Sequence, residues 1–339
     1  MPSTSRRSLL TTAAVAAAFA GVPAVAEEAP RISGPFAHAN LAVYLVHGAS
    51  APGKVPLTLQ EALARKQAVV HETGDVNQLA IENRGEDELF VQSGDIVKGG
   101  KQDRVLTSSL LLPPRSGKVP IAAFCVEQGR WAARGAEETR SFSAAEAAVP
   151  SRDAKLALKR PDAAGAETAS RQRSVWSTVS QLQGKLSGSV GAPVAAAQSQ
   201  TSLQLALENE KLRGARADYV SALKAAGERT ADIVGVVVAV NGRLNSAEIY
   251  PSNGLFRKMW PKLLDAAATE AIGERGASAE TSPSPEDVAT FLLAAELGPR
   301  TRTRLPASIV IETRDGARAL YAEATRADGA WFHRSYVAK

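Results

Sequence analysis

The chain has 339 residues, of which 45% are hydrophobic and 22% charged, so it can build a globular core and is not a disordered or fibrous protein. Its formal net charge of +5 comes from basic residues scattered along the sequence, which does not indicate nucleic-acid binding. A single cysteine excludes an internal disulfide bond. The length fits one large domain or two ordinary ones.

The N terminus has the pattern of an export signal. Arg6 and Arg7 precede the apolar, alanine-rich run 11–22, and Ala24-Val25-Ala26 provides a small-residue cleavage site. Adjacent arginines before a weakly apolar run favour the twin-arginine route over an ordinary Sec signal. We therefore expect residues 1–26 to be a signal peptide. The mature protein would be periplasmic, with no stable membrane anchor after cleavage.

The segment 27–150 is predicted to be rich in β-strands. Thr58 and Glu61 form a capping-box pattern that predicts the start of a helix. Ala144–Ala148 is predicted to be a short helix. The strands predicted before the motifs described below are Leu41–Val46, Ala68–Glu72, Gln78–Asn83 and Glu88–Gln92.

The segment 151–230 is predicted to be helical, with linkers. Ala154–Leu158 and Gln172–Leu186 have helical composition or periodicity, whereas Pro161–Ala169 and Ser187–Gln200 are typical of loops. A second capping-box pattern, Thr201 with Gln204, predicts a helix that carries Leu205, Leu212, Tyr219 and Leu223 on one face.

The segment 231–339 combines strands and helices. Asn241-Gly242 separates two apolar runs, which predicts a hairpin with a type I′ turn. Ser252 is expected to cap a helix that Pro261 kinks or restarts, and Ser284-Pro285 is expected to open another. A three-stranded meander is predicted at the C terminus, formed by Ser308–Thr313, Ala317–Thr325 and Trp331–Val337.

These elements predict an α+β fold: an N-terminal β-rich part, a helical middle and a C-terminal antiparallel sheet with helices. The boundaries follow the composition of the three segments, 27–150, 151–230 and 231–339.

Two polar motifs stand out in the first segment. They are Lys98-Gly99-Gly100-Lys101-Gln102-Asp103-Arg104 and Cys125-Val126-Glu127-Gln128-Gly129-Arg130-Trp131. The apolar runs Val105–Leu112 and Val119–Val126 lie between them and are predicted to pair as a hairpin. In the simplest register Arg104 lies opposite Glu127, so both motifs meet at the open end of the hairpin.

This meeting point predicts a site for a small anionic ligand. Gly99-Gly100 lets the backbone approach an anion, and the basic side chains supply charge. The predicted ligand-binding residues are Lys98, Gly99, Gly100, Lys101, Gln102, Arg104, Gln128 and Arg130. Glu127 is the candidate catalytic base if a reaction occurs. A P-loop is excluded because the lysine lies one residue late and Gln102 replaces the serine or threonine that would bind magnesium.

An alternative is a non-catalytic structural or interaction module, in which the same residues form an internal ion-pair network. Asp103 suits this structural role, and Cys125 fits a buried structural thiol better than a nucleophile. The four histidines, His38, His47, His71 and His333, have no metal-ligand spacing, so neither a metal nor another cofactor is predicted.

The two motifs closely resemble those of the ARG-and-rhodanese-phosphatase-superfamily-associated domain family, where ARG denotes ADP-ribosylglycohydrolase. The resemblance extends through Gln172, Trp176, Ser202-Leu203 and the strand 235–241, and so covers most of the mature chain. It implies no demonstrated reaction. By association it favours a phosphate-bearing or nucleotide-derived ligand.

Replacing Arg6 and Arg7 together by lysine tests the export route. We expect the precursor to accumulate in the cytoplasm, because twin-arginine export depends on this pair. N-terminal sequencing of the wild-type periplasmic protein should find Glu27 first. Unchanged export of the double variant would instead identify a Sec signal.

Overall fold

The structure is a computed structural model that describes residues 31–130, 132, 134, 139–159, 168–276 and 280–339. It has the α+β fold predicted from the sequence, with largely antiparallel sheets. The predicted signal peptide, Trp131 and residues 161–167 of the predicted linker lie outside the described residues. No described helix is long and apolar enough to span a bilayer.

The strands in the described part are β1 (Arg31–His38), β2 (Leu41–His47), β3 (Leu57–Thr58), β4 (Ala68–Glu72), β5 (Gln78–Asn83), β6 (Leu89–Val91), β7 (Asp95–Gly99), β8 (Arg104–Leu106), β9 (Leu110–Leu112), β10 (Gly117–Cys125), β11 (Phe142–Ala148), β12 (Ile233–Val240), β13 (Arg243–Ile249), β14 (Arg300–Leu305), β15 (Ile309–Asp315), β16 (Ala319–Thr325) and β17 (Trp331–Ala338). The α-helices are α1 (Leu59–Ala64), α2 (Arg152–Lys159), α3 (Thr168–Val190), α4 (Leu203–Leu207), α5 (Glu210–Leu223), α6 (Asn253–Gly273) and α7 (Pro285–Ala295).

The largest sheet is antiparallel and has eight strands in the order β1-β2-β12-β13-β17-β16-β15-β14. Strands β1 and β2 come from the segment 27–150, yet β2 pairs with β12 of the segment 231–339. The predicted Asn-Gly hairpin is confirmed: Val240 pairs with Arg243, and Asn241 and Gly242 have φ angles of 52° and 76°. These are the positive φ values that a type I′ turn requires.

Both faces of the central strands of this sheet are covered by helices or other apolar side chains. Alternate residues of a strand point to opposite faces. One face of β2 accordingly carries Leu41, Val43 and Leu45, which belong to the core that includes α6. Its other face carries Ala42, Tyr44 and Val46, which pack in the core that includes α7. Every residue of β12 is buried, so a continuous apolar sequence is required there.

A six-stranded sheet (β11-β7-β8-β10-β5-β4) and a three-stranded sheet (β3-β6-β9) complete the β-structure. They correct the predicted motif hairpin. The run 105–112 is interrupted at residues 107–109, after which β9 leaves β10 and pairs with β6. In the remaining β8–β10 pairing, Arg104 lies opposite Cys125 and not opposite Glu127. The register is displaced by two residues, which leaves each side chain on its expected face.

The structure corrects several helix predictions. Residues 144–148 belong to strand β11, because they pair with β7. Ser202, not Thr201, caps α4, and the single helix expected there is divided, since Asn209 caps α5 separately. Helix α6 continues through Pro261 without a break.

Other predicted elements are confirmed. The capping boxes at Thr58 and Ser284 both have their reciprocal hydrogen bonds, and Ser252 caps α6. Strands β4 and β5 have the predicted bounds. The sequence analysis did not predict β1 or β14, which form the two edges of the large sheet.

Candidate functional site

The two motifs meet in a buried cluster centred on Asp103 and Glu127, whose side chains are fully shielded from solvent. The backbone N–H of Asp103 donates to Glu127 Oε2 over 3.1 Å. The backbone N–H of Gly99 donates to Asp103 Oδ1 over 3.0 Å. The motifs therefore do converge, although the register differs from the predicted one.

Two arginines neutralise the two carboxylates. Arg130 donates from Nε and Nη2 to the Glu127 oxygens over 2.8 and 2.7 Å. Arg134 donates from Nη1 and Nη2 to the Asp103 oxygens over 3.0 and 3.1 Å. Ser202 Oγ adds a 2.7 Å bond to Asp103. Bidentate contacts of this kind are strong and directional, so the cluster is internally balanced in charge.

This environment makes Glu127 a poor general base. Burial would raise the pKa of its carboxyl, but the hydrogen bonds from Arg130 and from the Asp103 backbone outweigh burial and hold the pKa below its usual range. A carboxylate with a lowered pKa accepts protons weakly near neutral pH. Its oxygens are also already engaged by these donors.

Most of the predicted ligand-binding residues have partners within the protein. Lys98 Nζ lies 2.8 Å from Glu208, and Arg104 is buried with its Nη1 donating to the Gln102 carbonyl over 2.7 Å. Lys101 is partly buried, and its backbone N–H lies 3.4 Å from Glu72 Oε2. The Gln128 side chain is exposed, while its backbone N–H and C=O both bond the Thr201 hydroxyl.

At Gly99 and Gly100 the backbone packs closely against the side chains of Arg130 and Phe142. Arg130 Nη1 donates to the Gly100 carbonyl over 3.2 Å, and Arg130 Nη2 donates to the Gly99 carbonyl over 3.4 Å. Gly100 has a φ of 56°, and a Cβ atom there would lie 2.3 Å from the Phe142 ring. Only glycine fits this contact without strain. The pair therefore provides close packing at this position.

Cys125 has the structural environment that its apolar neighbours predict. Burial raises the pKa of its thiol to about 11, so it is protonated near neutral pH. The Gln172 side-chain amide accepts from the Cys125 N–H and donates to its C=O, each over 2.9 Å. Gln172 thereby fixes the end of β10 to α3.

A groove of about 470 Å³ lies beside the motif cluster. It is lined by Arg134, Val194, Ala196, Gln198, Leu205, Glu208, Asn209 and Glu210. Arg134 already binds Asp103, and Glu208 is paired with Lys98, so these charges of the wall are matched within the protein. They therefore give an anion in the groove little net attraction.

A second buried polar cluster, absent from the sequence-based prediction, is centred on Glu248 in β13. Ser335 Oγ donates to Glu248 Oε1 over 3.1 Å, and Lys159 Nζ lies 3.7 Å from the same oxygen. Lys159 also donates to Ser335 Oγ. His333 Nε2 lies 2.9 Å from Glu248 Oε2. We call these four residues the Glu248 cluster.

The Glu248 cluster forms part of the wall of a cavity of about 210 Å³. The lining residues are Ser93, Thr107, Ser108, Ser109, Ala122, Leu158, Lys159, Arg171, Thr303, Leu305, Ile311, Thr313, Ala322, Glu323, Ala324, His333 and Ser335. Hydroxyl groups dominate its polar surface, and Lys159, Arg171 and His333 add basic groups. The sequence signal was present, because Glu248, His333 and Ser335 are polar residues in mostly buried strands.

A family model for the ARG and Rhodanese-Phosphatase-superfamily-associated Protein domain matches residues 29–337. The chain belongs to this family. The match confirms the resemblance of the two motifs and extends it over nearly the whole chain. The comparisons with curated proteins and with solved structures found no match. Membership in the family therefore brings no assigned reaction or ligand to the two clusters.

Replacement of Glu127 by glutamine should lower the free energy of unfolding by ~3–5 kcal/mol, because it leaves buried arginine charge without its carboxylate. Glu210→Gln is the matched control, since the Glu210 side chain is 93% exposed and should cost less than ~0.5 kcal/mol. Denaturant unfolding of both variants measures the difference. Equal free energies of unfolding for Glu127→Gln and Glu210→Gln would contradict a structural role for the motif cluster.

Acid should destabilise the fold partly through Glu248. Burial opposes ionisation, but the charge of Lys159 and the contact with His333 lower the pKa of Glu248 to about 2, from an ordinary value of 4.5. Because the pKa of Glu248 is lower in the folded state than its ordinary value of 4.5, the ionised side chain stabilises the fold at pH values above 4.5. This stabilisation is lost as the pH falls towards about 2.

Protonation of Glu248 should therefore lower the free energy of unfolding by ~3 kcal/mol as the pH falls from about 5 to about 2. Urea unfolding across this range should show that wild type loses more stability than Glu248→Gln by about this amount. Parallel pH dependence in the two proteins would contradict the assignment.

Proposed function

We propose that this protein binds a small anionic ligand in the cavity beside the Glu248 cluster, and that its two motifs form an internal scaffold. The observation that carries the proposal is the lining of the cavity, where Lys159, Arg171 and His333 accompany a hydroxyl-rich wall. Cationic and hydroxyl donors together are the groups that recognise carboxylates and phosphates. The anionic ligand that the sequence analysis predicted at the two motifs is therefore proposed to bind in this cavity instead.

The charges around the cavity support an anionic occupant. Among the described lining residues Glu323 is the one carboxylate, and Arg334 Nε donates to it over 2.7 Å. Lys159 is balanced by Glu248, which lies behind the wall. Burial lowers the pKa of Lys159, whereas the neighbouring Glu248 carboxylate opposes this effect. Lys159, Arg171 and His333 are the basic side chains of the lining that an anionic occupant would contact.

The volume of the cavity limits the ligand to a small molecule. A volume of 210 Å³ corresponds to about seven water molecules at ~30 Å³ each. This suits a small phosphorylated or carboxylated metabolite better than a whole dinucleotide. The phosphatase association in the family name favours phosphate between the two, by analogy alone.

The motif cluster would serve this function indirectly. Asp103, Glu127, Arg130 and Arg134 fix the start of β8 and the loop after β10. Strand β8 leads directly into Thr107, Ser108 and Ser109, which line the cavity. In this proposal the scaffold holds the cavity wall in place. The export signal at residues 1–26 would place the binding protein in the periplasm.

A matched pair of threonines on β14 tests the cavity. Thr303 lines the cavity, whereas Thr301 lies two residues away on the same exposed strand and does not line it. We expect inorganic phosphate, or a member of a panel of phosphorylated and carboxylated metabolites, to raise the Tm of wild type and Thr301→Trp. Thr303→Trp should lose this shift, because its indole occupies the cavity.

Differential scanning fluorimetry measures all three proteins. A compound present at 100 times its Kd stabilises by ~2.7 kcal/mol, which the method resolves. The proposal is wrong if no compound stabilises wild type, or if Thr303→Trp responds as fully as Thr301→Trp.

A further inference from the structure

Two side chains that line the cavity and one that lies behind its wall form a continuous chain of polar contacts. Ser109 Oγ lies 2.8 Å from His333 Nδ1, and His333 Nε2 lies 2.9 Å from Glu248 Oε2. The three residues come from the segment between β8 and β9, from β17 and from β13. All three are buried, and Ser109 and His333 line the cavity. Serine, imidazole and carboxylate in this order are the groups that activate a hydroxyl nucleophile.

The surrounding contacts determine where the protons lie. Glu248 is ionised near neutral pH because its pKa is held at about 2, so its oxygens only accept. The proton of a neutral His333 ring is thus favoured on Nε2, next to Glu248. This N–H is not aligned with Oε2 for a hydrogen bond, so the contact is electrostatic. Nδ1 is then the acceptor, and Ser109 Oγ–H donates to it.

The nucleophile and the base are both held in position. The backbone N–H of Ser93 donates to Ser109 Oγ over 3.0 Å, which leaves the hydroxyl proton to point at His333. The His333 ring stacks on Tyr250 with a centroid distance of 5.3 Å, and Phe90 meets it edge-on at 5.7 Å. A rigid base at hydrogen-bond distance from a hydroxyl is the geometry that general-base catalysis requires.

We propose that this chain hydrolyses a small acyl ester that carries an anionic group, with Ser109 as the nucleophile and His333 as the general base. Glu248 is a positioning residue that acts through His333. This inference rests on the proposed function, because the anionic group of the ester would occupy the basic part of the same cavity, near Lys159 and Arg171.

The reaction has two balanced steps. Ser109 Oγ bonds to the acyl carbon while its proton passes to His333 Nδ1, and the alcohol leaves with that proton. Water then attacks the acyl-serine and gives one proton to Nδ1, which returns it to Ser109 Oγ as the acyl–oxygen bond breaks. One ester and one water are consumed, and one carboxylic acid and one alcohol are released.

Ser180 provides a control for the nucleophile, since it is an exposed serine on α3 that does not line the cavity. The probes are p-nitrophenyl hydrogen succinate and the neutral, similarly sized p-nitrophenyl butyrate. We expect Ser109→Ala to lose at least about 100-fold in kcat/KM and Ser180→Ala to keep its activity. Wild type should prefer the anionic ester by roughly tenfold or more.

Covalent labelling keeps the test independent of how well Ser109→Ala folds. A fluorophosphonate should label the wild-type protein once, and peptide mass spectrometry should locate the label on Ser109. Labelling of another residue overturns the inference, as does the absence of both labelling and ester hydrolysis. Equal activity losses in the Ser180 and Ser109 variants also overturn it.

A pH profile tests the part assigned to Glu248. Replacement by glutamine removes negative charge beside the imidazole, so the acid limb of the kcat/KM profile should move to lower pH. An unchanged acid limb overturns this role. The metabolite binding test with Thr301→Trp and Thr303→Trp remains separate: stabilisation there without hydrolysis or labelling here rejects the reaction and leaves the binding function standing.

Discussion

Strand β12 lies inside the eight-stranded sheet with all of its residues buried, and the arrangement of the Glu248 cluster depends on this constraint. Its pairing with β2 joins residues near the start of the described chain to the C-terminal strands. With helices or side chains covering both faces, a polar group on this sheet must find a partner inside the protein. Glu248, paired with β12 at Val236, is such a group.

The buried carboxylates are neutralised in different ways in the Asp103–Glu127 cluster and in the Glu248 cluster. Around Asp103 and Glu127, two arginines, the backbone N–H groups of Gly99 and Asp103 and the Ser202 hydroxyl satisfy the carboxylates within the protein. Around Glu248, compensation comes from Lys159, His333 and Ser335, which also form the wall of a cavity. The first arrangement stabilises a loop, whereas the second leaves polar groups at a surface that a ligand can contact. This difference is why we place the function at the second cluster.

The sequence predicted the convergence of the motifs but not their role. The glycine and charged residues at the two ends of the apolar runs predict that the two motifs lie close together, and in the structure they do. The same residue types suit an open anion site and a closed ion-pair network equally well. Arg134 and Ser202, which lie outside the two motifs, supply the bonds that close the network around Asp103. The Glu248 cluster was not predicted, because its members are separated by up to 176 residues.

The sequence alone determined the α+β class, the Asn-Gly hairpin, the capping boxes and the family, because each of these depends on residues that are close in sequence or on the motif pattern itself. Tertiary structure decided the register of β8 on β10, the strand state of residues 142–148 and the pairing of β2 with β12. It also decided which polar residues border a cavity. These features depend on contacts between distant segments, and local sequence patterns carry no direct measure of such contacts.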